Sequence, residues 1–96
     1  MNVQEISIVV DDGGRSQALS ISSTSAQSAV INTNSVLVTP TVDVFVRQGT
    51  NPTAVSDGTD ILLLASTSYR LAVMPGKKLA FKTASATGTV YLTQGA

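Results

Sequence analysis

Three short groups of polar residues in this chain have types and spacings that suit chemistry: Asp57-Gly58-Thr59-Asp60, Asp11-Asp12-Gly13-Gly14 and Asn51-Pro52-Thr53. Asp57, Gly58 and Asp60 match a fragment of an oxygen-ligand loop for calcium, in which carboxylates at close spacing and a glycine bend wrap the ion. The full twelve-residue pattern is absent and no Glu stands at its closing position, so a turn built by Asp and Gly is the favoured reading. Asp11 to Gly14 reads the same way, since Gly-Gly is a common hairpin turn. Asn51-Pro52-Thr53 has the outline of a glycosylation acceptor, but a central proline excludes that modification. Catalysis fares no better. The chain has no histidine and no cysteine, so a serine nucleophile would need a lysine base, and Lys77 and Lys78 follow a turn and read as solvated. With no acid–base pair in a tuned environment, the expectation is a protein that is not an enzyme and holds no metal or cofactor.

Contact surfaces are the remaining source of function. Tyr69 and Tyr91 are the only tyrosines, and either ring could stack on a sugar. An aromatic content of 4% is low for a carbohydrate-binding surface, so core or interface packing is the simpler role for both. Asn51, Pro52, Thr53, Asp57, Asp60, Tyr69 and Tyr91 are therefore the candidates for contact with a partner.

The totals narrow the kind of partner. Ninety-six residues make one domain, 1–96, and a domain this small buries only about 60–65% of its unfolded surface. Small chains usually close that stability gap with disulfides, a metal or oligomerisation; the missing cysteines and histidines leave association with copies of itself or with a larger assembly as the favoured route. Net charge is zero and charged residues make up 12% of the chain, about half the usual globular share. No basic patch is available to displace counterions from phosphates, which excludes nucleic acid as a partner. Serine and threonine supply a quarter of the residues, and such a low-charge surface suits a protein packed into an assembly better than a free monomer. No stretch approaches the ~20 apolar residues of a membrane span. The first residues lack the basic and apolar regions of a signal peptide, so a soluble protein without a cleaved export signal is expected.

The elements that must position these residues are strands. Ile6, Ile8 and Val10 alternate with Glu5 and Ser7 over residues 3–10, and residues 11–14 supply a reversal. A second strand is expected over 18–22, a polar loop over 22–28, a third strand over 29–31 and a fourth over 36–38. Val42, Val44 and Val46 alternate with Asp43, Phe45 and Arg47, the clearest two-residue period in the chain. Phe45 makes its second face partly apolar, so cover on both sides is expected. Turn clusters at 48–53 and 57–60 precede the continuous apolar run 61–65, read as a buried strand that is either central or covered by another subunit. Tyr69, Leu71 and Val73 alternate next; Pro75-Gly76 has the type II turn order. Leu79 and Phe81, then Val90 and Leu92, close the pattern. Eight or nine short strands at this spacing predict an all-β chain, a small antiparallel β-sandwich or jelly-roll-like barrel with no substantial helix. Residues 1–34 complete the same sheets or form an N-terminal arm reaching a neighbour.

Residues 36–93 resemble the small β-rich head proteins of tailed bacteriophages. The likeness lies in VDVFVRQG at 42–49, the Asn-Pro-Thr-Ala turn at 51–54 with Asp57-Gly58, the strand at 61–65, the Tyr/Arg strand running into Pro-Gly at 69–76, and the closing ATGTVYLT at 86–93. The resemblance implies a virion component: a capsid decoration or cement protein bound to the major capsid protein on the capsid surface, made in the host cytoplasm during assembly. It carries over no catalytic residue. A homo-oligomer fits, with a trimer matching the local three-fold positions of a capsid. The competing expectation is a carbohydrate-binding or host-attachment module displayed on a head spike or tail fibre.

Overall fold

A computed structural model describes residues 15–95. Eight strands follow one another: β1 (Ser16–Ile21), β2 (Ala26–Gln27), β3 (Ser35–Pro40), β4 (Val44–Gly49), β5 (Ile61–Leu63), β6 (Tyr69–Ala72), β7 (Lys78–Lys82) and β8 (Gly88–Gln94). No helix occurs among the described residues. The strand expected over 3–10 and the turn at 11–14 lie outside them.

The strands form two four-stranded sheets, ordered β1-β8-β3-β6 and β2-β7-β4-β5, and every pairing is antiparallel. The pairs β4–β5, β3–β6, β2–β7 and β1–β8 are those of one long hairpin with arms β1 to β4 and β5 to β8. Rolling that hairpin drops alternate pairs into opposite sheets and creates the two further pairings, β8–β3 and β7–β4. This is the eight-stranded jelly roll, the second of the two architectures the strand pattern predicts.

Two-residue alternation builds the core. Val36 and Val38 of β3, Val44 and Val46 of β4, Leu79 and Phe81 of β7, and Val90 and Leu92 of β8 all face inward and are buried, joined by Ile21, Ile31 and Leu63. β-Branched residues dominate this set, as suits strands whose side chains must pack on a pleated surface. Phe45 is half-buried on the outer face of β4, which lies between β7 and β5.

Three expectations need correction. The loop expected at 22–28 contains the short strand β2, which pairs with Phe81 and Ala80. It stops there because Ser28 continues the pairing with its side chain: Ser28 N donates to Leu79 O at 2.7 Å while Ser28 Oγ accepts from Leu79 N at 3.1 Å. The strand expected at 29–31 is reduced to one bridge, Ile31 with Lys77. Side chains take three of its other backbone groups: Gln17 Oε1 accepts from Ala29 N, Ser28 Oγ donates to Ala29 O, and Gln94 Nε2 donates to Val30 O. The apolar run 61–65 is not central. β5 has only three residues and forms the edge of its sheet, and of its side chains Leu63 alone is buried.

Candidate functional site

Five of the seven candidate residues lie in the loop 50–60, which joins β4 to β5. Strand alternation explains where this loop goes. Leu79 and Phe81 point into the core, so Ala80 between them points to the outer face, yet it is fully buried. Its cross-strand partners are Gln27 on β2 and Arg47 on β4, and those two side chains hold the loop. Gln27 Nε2 donates to Asn51 Oδ1 at 2.7 Å and to Pro52 O at 2.9 Å. Arg47 Nε lies 2.7 Å from Asp60 Oδ1. The loop is thus folded back over the outer face of its own sheet, with Pro52 and Ala54 buried beneath it and Ser25 Oγ accepting from Ala54 N at 2.9 Å.

The carboxylates of this loop are engaged in holding it. Asp60 is nearly buried, and its second oxygen accepts from Val55 N at 2.7 Å. Asp57 Oδ1 accepts from Thr59 Oγ at 2.7 Å and from Thr59 N at 3.0 Å, a side-chain-closed turn. Those bonds, the Thr59 hydroxyl's first, hold the Asp57 carboxyl below its ordinary value. Among the described residues no group of three His, Cys, Asp or Glu side chains is placed to hold a metal ion. Thr53 is exposed, flanked by the buried Pro52 and Ala54.

The two tyrosines lie apart. Tyr69 begins β6, half-buried against the core, and its hydroxyl accepts from Leu64 N at 2.9 Å. Tyr91 stands mid-strand on the outer face of the other sheet, 54% exposed, between Ala18 of β1 and Thr39 of β3.

A cleft was not foreseen. It has a volume of about 370 Å³ and opens between the edge strands β5 and β6, lined by Val46, Ile61, Leu71, Val73 and Leu79 together with Arg47, Gln48, Arg70 and Ala72. Ile61 pairs with Val46 and so faces the core side, yet it is 69% exposed. On the outer side, Leu62 is 46% exposed beside Phe45, and Leu64 just past the strand is 51% exposed. The signal in the sequence was the Ile-Leu-Leu-Leu run, whose hydrophobicity exceeds what an edge strand of three residues can bury.

Comparison with protein-family models, with curated proteins and with solved structures returns no match.

Proposed function

We propose that this protein is a non-enzymatic structural component of a virion, a capsid decoration or cement protein that binds the major capsid protein lattice and stabilises the phage head as a homo-oligomer, a trimer in the simplest case. The observation that supports this reading most is the outward strip of Leu62 and Leu64 on a sheet edge, in a chain with 12% charged residues. Apolar side chains exposed along an edge strand mark a surface that another protein covers. A cement protein works by many neutral contacts, and that surface offers them. The jelly roll recurs in viral capsid and lectin domains, a fold-level analogy compatible with either reading.

Sedimentation tests the proposal directly. The purified protein, alone and mixed with empty heads of the phage that encodes it, is expected to run as a stable oligomer and to co-sediment with the heads. Leu62→Asp should abolish co-sedimentation while the circular dichroism of the free protein is kept. A monomer that stays in the supernatant overturns the proposal.

A second reading rests on Tyr91. Its exposed ring, flanked by Ala18 and Thr39, is the flat aromatic surface that a glycan-binding module on a head spike or tail fibre would use. Binding to a glycan array that disappears in Tyr91→Ala would favour this reading over the first.

A further inference from the structure

Among the described residues, Asp57 is the only aspartate followed by glycine; Asp43 and Asp60 precede Val44 and Ile61. That order matters for a reaction within the chain itself. The backbone nitrogen after an aspartate can attack the side-chain carboxyl, and a following side chain branched at Cβ crowds the approach, whereas glycine lets backbone come close. Gly58 sits at φ +95° with nothing within 4 Å of the place a Cβ would occupy. Both Asp57 and Gly58 are exposed.

We propose that Asp57–Gly58 is a site of spontaneous isoaspartate formation, and that the Thr59 hydroxyl is the brake on it. The reaction needs no partner but water. Gly58 N bonds to Asp57 Cγ, and the amide proton leaves with the carboxyl hydroxyl as water, giving a cyclic imide. Water then opens the imide at the former main-chain carbonyl. The chain now runs through Cγ, and the old carbonyl becomes the free carboxylate. The water lost is regained, so mass is unchanged.

Thr59 opposes the first step. Its hydroxyl donates to Asp57 Oδ1 at 2.7 Å and its amide donates to the same oxygen at 3.0 Å. Arg47 Nη2 donates to that hydroxyl at 3.4 Å, which leaves the hydroxyl proton directed at Asp57. Both Asp57 bonds favour the ionised carboxyl, and only the neutral acid carries a hydroxyl to lose as water. Two donors on one oxygen also hold the side chain against the rotations through which an unrestrained aspartate finds the attacking geometry.

The location gives the reaction a consequence. The 57–58 link lies inside the turn that Asp60 closes by accepting from Val55 N at 2.7 Å. An isoaspartate adds a methylene to the main chain within that closed stretch. Asp60 also holds Arg47 at 2.7 Å, so rearrangement loosens the anchor of the loop at its Arg47 end.

Storage in warm neutral buffer followed by tryptic mapping tests this. Trypsin releases Asp57–Gly58 in the peptide 48–70, apart from Asp12–Gly13 in 1–15, and chromatography with fragmentation counts the isoaspartyl form at equal mass. Thr59→Val, with its fold checked by circular dichroism, is expected to accumulate isoaspartate at 57 about tenfold faster than the wild type, roughly what one hydrogen bond to a charged group is worth. Thr59→Ser keeps the hydroxyl and should match the wild type. In urea, where no turn persists, all three should react at one fast rate. Folded Thr59→Val reacting no faster than the folded wild type overturns the proposal, as does Thr59→Ser reacting as fast as Thr59→Val. Independently of any variant, a wild-type chain that rearranges equally fast folded and in urea overturns it too.

Discussion

Gln27 and Arg47 stand on either side of Ala80 in adjacent strands, and each reaches over it to a different end of the same loop: Gln27 to Asn51 and Pro52, Arg47 to Asp60. The loop 50–60 is long for a hairpin connection, and without such anchors the entropy of ordering its backbone would favour a mobile excursion. Its polar residues are the anchors, which is why a segment that resembles a ligand loop in sequence serves as a cover for the sheet.

Asp60→Ala is expected to lower stability by about 1–3 kcal/mol, because the Val55 amide loses its acceptor and the Arg47 guanidinium loses its partner. For a domain of this size that is a fall in Tm of roughly 4–8 °C per kcal/mol. Thermal unfolding followed by circular dichroism measures it. An unchanged Tm would mean that Gln27, Ser25 and the loop's own packing hold it without Asp60.

Asp57 gives a prediction of a different kind. Its carboxyl titrates below the ordinary 3.8 because the Thr59 hydroxyl and amide bond the ionised form. A folded-state value below the unfolded one means that the contribution to stability is present above the unfolded pKa and is lost as pH falls through the folded value. Carboxyl titration by NMR should place Asp57 below a free aspartate, and Thr59→Val should move it up. A Thr59→Val variant titrating with the wild type would show that the hydroxyl does not set the shift.

The strands that were legible in sequence are those whose side chains alternate between core and solvent. β4, β7 and β8 each carry buried apolar residues two apart, Val44 and Val46, Leu79 and Phe81, Val90 and Leu92, and hydropathy alone locates them. Pro75-Gly76 was legible for a related reason: Gly76 has φ +89° and Lys77 N bonds Met74 O, as a type II turn requires. β2 was not legible, since the two-residue pair Ala26–Gln27 has no period to read. Nor was the reduction of the strand expected at 29–31 to a single bridge, where side chains, among them the sequence-distant Gln17 and Gln94, take backbone groups in place of a strand partner. The candidate loop was legible as turns, but Ala80 as its floor was not, because only the strand order brings β2, β7 and β4 together.

Two glycines should resist substitution for different reasons. A Cβ at Gly88 would lie 2.6 Å from Thr41 Oγ1 and 2.8 Å from Val42 Cγ2. Thr41 cannot yield easily, since its hydroxyl accepts from Thr89 N and its amide donates to Thr89 O, both at 2.9 Å. Gly88→Ala is expected to cost about 1–3 kcal/mol by overpacking. Gly76 faces open space but sits at φ +89°, so Gly76→Ala should cost about 1–2 kcal/mol through conformation alone, and Gly76→Asn less. Denaturant titration of the three variants separates the two causes: equal costs for Ala and Asn at position 76 would argue against the conformational one.

Tyr69 and Tyr91, equivalent candidates by sequence, are separated by what surrounds them. Tyr69 packs on the core and its hydroxyl satisfies the Leu64 amide, so Tyr69→Phe should cost about 1 kcal/mol for the lost bond, and Tyr69→Ala more than that. Tyr91 is 54% exposed on the outer face between Ala18 and Thr39, so Tyr91→Ala should change Tm by less than the Tyr69→Phe variant does. The same variant then becomes a clean probe of the outer face. If it folds as the wild type and loses glycan binding, the ring is a stacking platform; if it loses only co-sedimentation with heads, that face is part of the contact with the capsid. A large drop in Tm for Tyr91→Ala would instead mean that the ring is covered in solution, and the most direct cover for it is a second subunit of the same oligomer.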